Sequence, residues 1–233
     1  QYMDAAGNAY IHAGGLYLLI EGKKRNVLLG EKTGTDPFGW AGLKVVFVLL
    51  CAPDMRNATY RDIARAADVA LGTVGGVIKG LEQRGWLMNV GAVVKLREKQ
   101  EIMKQWVAGY IDKLRPKLLL GRYETKETLD AEMAKKEAAL LGGETAAEEL
   151  NTFLKPGIHT MYIEGDQRDF VIKHRLRKHP DGGLELRRKF WNFDYPEEQR
   201  GVVPPLLIYA DLIAVRDPRT LEAAEMIYDE YLA

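Results

Sequence analysis

The chain has 233 residues, with 33 basic and 33 acidic side chains, four His, one Cys and 47% apolar residues. A net charge of zero excludes a uniformly basic nucleic-acid coat and an acidic tail protein, and this apolar content excludes a disordered chain. The single Cys51 excludes an internal disulfide and a Cys-based zinc site, and the apolar runs fall far short of the ~20 residues that span a bilayer.

Residues 9–11 and 16–21 are short apolar stretches separated by Gly14-Gly15, and they predict a β-hairpin. A basic turn at 22–25 and a linker at 31–39 follow. The chain opens Gln1-Tyr2-Met3 and passes almost at once into strand-like sequence, so residues 1–36 are expected to be the remnant of a longer N-terminal domain. Residues 38–52 predict a strongly apolar helix, with Leu43, Val46, Phe47 and Leu50 at helical spacing and Pro53 as its stop. Thr59-Tyr60-Arg61-Asp62 is a capping pattern, with Asp where Glu or Gln is commoner. It opens a short helix whose apolar face is Tyr60, Ile63, Ala64 and Ala67. After a break at 68–70, residues 71–84 predict a third helix with Val74, Val77, Ile78 and Leu81 inward and Gly85 as a left-handed stop. Strands at 86–88 and 93–96 follow.

Residues 98–115 predict a longer amphipathic helix, with Ile102, Met103, Trp106, Val107, Tyr110 and Leu114 on one face and Pro116 at its end. Residues 117–122 read as a strand, 124–141 and 144–154 as helices, and 159–163 as a strand. Residues 169–176 fit helix or strand equally, and 184–193 read as a strand. Pro204-Pro205 opens a helix through Ala214, and Asp217-Pro218 caps a last helix with Leu221, Ala224, Tyr228 and Tyr231 inward. The class is α+β. An N-terminal β-hairpin segment (1–36) leads to a winged helix-turn-helix with a trailing helix (37–116), then to a mixed α/β C-terminal domain (117–233).

Net zero hides a segmented charge. Residues 1–100 hold 13 basic and 9 acidic groups, and 151–190 hold 9 and 5. Residues 101–150 hold 8 and 10, and 191–233 hold 3 and 9. Two basic segments point to an anionic partner for part of the chain, and solvated helix faces of differing sign give the same tally.

The informative unit is 38–97: helix, helix, sharp turn, helix, two-stranded wing. The third helix is expected to present Gly72, Thr73, Gly75, Gly76 and Lys79 to a major groove, where only Thr73 and Lys79 carry side chains that hydrogen-bond a base edge. Each Gly costs about 1 kcal/mol of helix propensity relative to Ala. Either close approach of the backbone to DNA or close helix packing would offset that cost. Backbone positioning falls to Arg56, Thr59, Tyr60, Arg61, Arg65, Arg84, Lys95 and Arg97. Winged helices also serve as protein-interaction modules.

The segment Asn57-Ala58-Thr59-Tyr60-Arg61-Asp62-Ile63-Ala64, followed by Val69-Ala70-Leu71-Gly72-Thr73-Val74-Gly75, is similar to the winged-helix part of AbiEi-type antitoxins of type IV toxin–antitoxin systems. Pro204-Pro205-Leu206-Leu207-Ile208-Tyr209-Ala210-Asp211-Leu212, with Asp217-Pro218-Arg219 and Glu222-Ala223-Ala224, resembles the same family's closing signature, and Gly7-Asn8-Ala9-Tyr10 also fits. The resemblance covers most of the chain, and its C-terminal part is the more specific. It implies a bacterial, cytoplasmic DNA-binding autorepressor whose C-terminal domain counteracts a nucleotidyltransferase toxin without a stable complex. The partner expected is double-stranded DNA, as operator or origin repeats. A homodimer is expected on it because winged-helix regulators commonly bind inverted repeats, though no residue demonstrates one. Some relatives act in plasmid replication, so a replication initiator is the second reading.

Asp211 lies in an apolar run, where a carboxylate needs a partner; Arg216 or Arg219 is the expected one, in a structural ion pair. Asp4, then an apolar strand, then Glu21-Gly22-Lys23 is the arrangement of a metal-dependent nuclease, and it fits a hairpin end equally well. Trp191 and Phe193 beside Arg187, Arg188 and Lys189 suggest a stacking surface for single-stranded nucleic acid, but strand alternation favours the rings inward. His12, His159, His174 and His179 lack metal-ligand spacing, and the last two join a basic surface stretch. No phosphate loop or Ser-His-Asp grouping is present, so no catalytic residue, metal or cofactor is expected.

Overall fold

The computed structural model describes residues 2–3, 9–13, 16–20, 36–90, 93–125 and 129–233. Contacts divide the chain into two units, Gln1–Gly34 and Thr35–Ala233. In the first, β1 (Tyr2–Met3), β2 (Ala9–Ala13) and β3 (Leu16–Ile20) form an antiparallel sheet, with Tyr10 paired to Tyr2 on one side and Leu19 on the other. The nuclease pattern of Asp4, Glu21 and Lys23, and the basic turn at 22–25, lie outside the described residues.

The second unit opens with α1 (Trp40–Cys51), a 3-10 turn (Pro53–Asn57), α2 (Tyr60–Ala66) and α3 (Leu71–Gln83). β4 (Leu87–Val90) and β5 (Val93–Leu96) then pair antiparallel. α1 is buried without a break from Gly42 to Leu50. A helix apolar on every side is the centre of a core, not its wall. Its one charge there, Lys44, is spent on the next turn: Nζ donates to the Asp68 carbonyl at 3.2 Å and to its carboxylate at 3.0 Å.

α2 and α3 end in the same motif. The Val69 amide donates to Ala64 and that of Asp68 to Arg65; the Trp86 amide donates to Leu81 and that of Gly85 to Glu82. Both are paired 6→1 and 5→2 bonds around a left-handed residue. Gly85 fills that place freely at φ +68°, whereas Asp68 holds it at φ +49° with Lys44 bound to it. Thr59 caps α2 as expected, accepting from the Asp62 amide at 3.2 Å. Tyr60 departs from the expected inner face of α2: it is 49% exposed, and Ile63, Ala64, Ala66 and Ala67 are buried instead.

The chain continues as α4 (Lys99–Gly109), a π-helical turn (Tyr110–Leu114), α5 (Arg115–Leu118) and β6 (Leu119–Glu124). Pro116 does not end this helix. It follows the π-helical turn, in which the Arg115 amide donates to Tyr110 O five residues back, and the backbone stays helical through it to Leu118. The helix expected over 124–141 shrinks to α6 (Ala131–Lys136), opened late by the Asp130 cap and closed by Ala138 at φ +51°. β7 (Leu140–Gly142), α7 (Gly143–Asn151) and β8 (His159–Ile163) follow. The ambiguous 169–176 stretch lies largely in α8 (Gln167–Lys173), capped by Asp166, before β9 (Arg177–Lys178). β10 (Leu184–Arg188) ends five residues before the expected strand did, and the chain turns so that Phe190, Trp191 and Phe193 reach the core. α9 (Pro205–Val215) and α10 (Pro218–Tyr231) close the chain. α10 buries Thr220, Ala223, Ala224 and Ile227, a face displaced from the expected one, with Leu221 exposed.

The sheet order is β7-β8-β10-β6-β9, parallel between β8 and β10 and antiparallel elsewhere. Glu185 pairs with Arg122 and Thr160, and Arg187 with Tyr162. Alternation puts these polar residues on one face and Leu184, Leu186, Met161 and Ile163 on the other. On the polar face, Asp211 of α9 accepts from Tyr110 Oη (2.8 Å), Tyr162 Oη (2.8 Å) and Arg115 Nε (2.9 Å). Its partner is thus Arg115, not Arg216 or Arg219. Burial, then the Asp211 charge, pushes both tyrosine hydroxyls up, so they stay neutral donors. Removing one member of a buried charge pair typically costs about 3–5 kcal/mol. Asp211→Ala is therefore expected to lower unfolding free energy by about 3–5 kcal/mol in urea melts; unchanged stability would rule out the structural role.

Candidate nucleic-acid interface

The candidate surface is built on α2, α3 and the β4–β5 ribbon. Two side chains fix its turn from outside. Lys44 holds Asp68 from α1, and Asn192, which follows β10, caps α2: its amide donates to Ala66 O at 2.7 Å and its Nδ2 to Arg65 O at 3.2 Å. Asn57 Oδ1 accepts from the Val94 amide at 2.8 Å, tying the ribbon to the 3-10 turn. Sequence reasoning missed all three. A lone Lys in an apolar helix was a legible signal, but an Asn more than 120 residues away in the chain was not.

The expected contact residues divide into committed and uncommitted groups. Arg56 Nε donates to Leu49 O at 2.8 Å, and Arg84 Nη1 to Gly80 O at 2.8 Å, so both guanidiniums cap helix ends. The Thr59 hydroxyl is held by Asp62, and Arg65 lies 3.4 Å from the same carboxylate. Arg61, Lys79, Lys95 and Arg97 are exposed, and their side chains make no hydrogen bond or ion pair among the described residues. Thr73 and Gly76 are half-buried, and Tyr60 and Leu71 are exposed large side chains beside them in the chain.

The glycines of α3 separate two explanations that the sequence left open. A Cβ at Gly80 would meet Pro37 at 2.7 Å, so Gly80 is required by packing. A Cβ at Gly72 would meet nothing within 4 Å, and one at Gly75 only the Tyr60 ring at 3.7 Å. Among the described residues, no close contact requires glycine at either position.

Trp191 and Phe193 are buried, at 1% and 7% exposure, so neither belongs to a surface for stacking bases. His174 is likewise buried, its ring 4.6 Å from that of Phe170, and does not join a basic surface. Among the described residues, no helix is long and apolar enough to cross a membrane.

Gly80→Ala is expected to destabilise the fold by about 1–3 kcal/mol through the Pro37 clash. Gly72→Ala and Gly75→Ala are expected to stabilise it, each by up to about 1 kcal/mol. Chemical denaturation of the three variants checks both signs.

Residues 95–233 match the family described as transcriptional regulator, AbiEi antitoxin, type IV toxin–antitoxin system. That span is more than half of the chain and holds α4 through α10, while α1, α2 and α3 lie outside it. No curated protein and no solved structure matches the chain. The chain belongs to the AbiEi antitoxin family of transcriptional regulators of type IV toxin–antitoxin systems.

Proposed function

We propose that residues 37–116 are a winged helix-turn-helix that binds duplex DNA at the operator of the protein's own operon and represses it. Residues 117–233 carry the antitoxin role in this reading. The protein works in the cytoplasm as a homodimer on an inverted repeat, and opposes its toxin without a stable complex. The observation that carries the DNA-binding part is the backbone of α3, exposed at Gly72 and half-buried beside the Tyr60 ring at Gly75, with Arg61, Lys79, Lys95 and Arg97 of the same surface making no hydrogen bond or ion pair among the described residues. A helix admitted to the major groove gains by close backbone approach, and glycine permits it.

Base reading is sparse: Thr73 and Lys79 are the side chains of α3 suited to it, and phosphate contacts supply most of the affinity. Arg61, Lys95 and Arg97 together give a log–log salt slope of about −3 per protomer. The neutral whole chain adds little attraction beyond them, so non-specific binding is weak.

A salt-titrated binding assay on duplex DNA from the upstream region tests this reading. Lys79→Ala is expected to weaken specific binding by about 1–3 kcal/mol, and Arg61→Ala to weaken all sequences alike while flattening the slope by about 1. Gly72→Ala is expected to lose affinity although its fold is intact. Unchanged binding in all three variants would overturn the proposed surface.

A further inference from the structure

We propose that the cavity on the polar face of the five-stranded sheet binds a free α-amino acid with an aliphatic side chain. The cavity measures about 270 Å³. That is just below the usual range of small-molecule pockets, about 300–1,000 Å³, and admits a small ligand.

Three kinds of surface line it. The first offers donors. Thr160 is only 4% exposed, and its hydroxyl makes no hydrogen bond among the described residues although it opens on the cavity. Arg115 spends Nε on Asp211 and points Nη2 at Glu185, 3.6 Å away; Arg122 spends Nε and Nη2 on Glu185. Nη1 of both arginines makes no hydrogen bond or ion pair among the described residues. α7 also begins at this wall, with no side chain capping it. Its first residue, Gly143, is at φ +51°, and a Cβ there would stand 3.1 Å from Thr160 Oγ1. Glycine thus keeps the space between the hydroxyl and the helix start clear. Hydroxyl, guanidinium and helix N-terminus together suit a carboxylate.

The second surface is an acid. Glu144 is as buried as Thr160; its Oε2 accepts from the Gly157 amide at 2.9 Å, and Oε1 makes no hydrogen bond or ion pair among the described residues. A buried carboxylate held by one neutral donor calls for a cation. The third surface is apolar: Ile158, Ala214 and Val215.

The charge balance favours one ligand bearing both signs. The lining sets Asp211, Glu185 and Glu144 against Arg115 and Arg122, a sum of −1, and Arg187, bound to Glu185 behind the wall, brings the cluster to zero. A free phosphate would meet Glu144, and a bare amine would meet the arginines. A zwitterion satisfies both ends and adds no net charge, and its aliphatic side chain covers the apolar wall.

Calorimetric titration of the full chain tests the proposal. The probes are the twenty amino acids, and for leucine also its carboxamide, the hydroxy acid lacking the ammonium group, and inorganic phosphate. We expect one aliphatic amino acid bound per chain, with the carboxamide and the hydroxy acid each weaker by about tenfold or more, the loss when a charged partner goes unmet. Thr160→Val, which keeps the side-chain shape, is expected to weaken binding by about fivefold or more at an unchanged melting temperature. Glu144→Gln is expected to equalise leucine and the hydroxy acid. Failure of every amino acid to bind at millimolar concentration, phosphate binding as tightly as leucine, or an unaltered Thr160→Val affinity would each overturn it. DNA plays no part in the readout, so the outcome is independent of the operator reading.

Discussion

Phe47 touches four other rings: Trp106 stacked at 5.1 Å, Phe190 at 5.0 Å, Trp191 at 5.6 Å and Phe193 at 5.8 Å. One ring comes from α4 and three from the segment after β10. Such pairs contribute about 0.5–1.5 kcal/mol each beyond the apolar area they bury. The Trp106 indole also donates to Leu43 O at 2.8 Å, and Gly109 lets α4 approach so closely that a Cβ would stand 2.9 Å from the Leu43 side chain. α1 is therefore shared between the three-helix unit and the sheet. Asn192 reaches the end of α2 because Trp191 beside it is anchored on Phe47. The position of the candidate DNA surface thus depends on an aromatic cluster drawn mostly from the far half of the sequence.

The sheet's polar face is the second constraint. Burial acts to raise the Glu185 carboxyl, but Arg187, Arg122 and Arg115 outweigh it and hold its pKa below the ordinary value. Burial opposes the charge on Arg187, and the Asp211 and Glu185 carboxylates raise its pKa against that. For a carboxylate depressed in the folded state, the stabilisation is complete above its unfolded pKa and is lost as pH falls through the folded one. This face is therefore secure at neutral pH and vulnerable to acid.

Locally encoded features were legible. α3 and α4 follow their apolar periodicity, α1 and α9 stand where Pro53 and Pro204-Pro205 bound them, and Thr59, Gly85 and Asp217 act at the helix ends where their chemistry places them. What sequence could not reveal was set by distant partners. Asp211 needed a cation, but Arg115, nearly a hundred residues upstream, could not be chosen over Arg216 by spacing alone. Pro116 looked like a stop because the π turn before it, which carries the helix on to Leu118, has no sequence marker. The glycines of α3 form one repeated pattern in the sequence, yet Pro37 explains Gly80 and leaves Gly72 and Gly75 unexplained. The candidate interface was thus legible as a list of residues. Which of its arginines were already committed to helix ends was not.

The proposed amino-acid cavity bears on this shared core through a continuous path. Arg115 opens α5 directly after the π turn, where Tyr110 shares Asp211 with it and stacks on Trp106 at 5.1 Å; Trp106 in turn stacks on Phe47. A ligand moves a conformational equilibrium only by its difference in affinity between two states. The cavity's walls come from α5, α7, α9 and the strands β6, β8 and β10, so they come together only when those elements are assembled. Occupancy then favours the folded state as a whole, by RT ln(1 + [L]/Kd). Because α1 belongs to the same core, that gain extends to the turn that Lys44 and Asn192 fix. An amino acid bound there would thus act on the candidate DNA surface by stabilising its scaffold, with no separate switching element required.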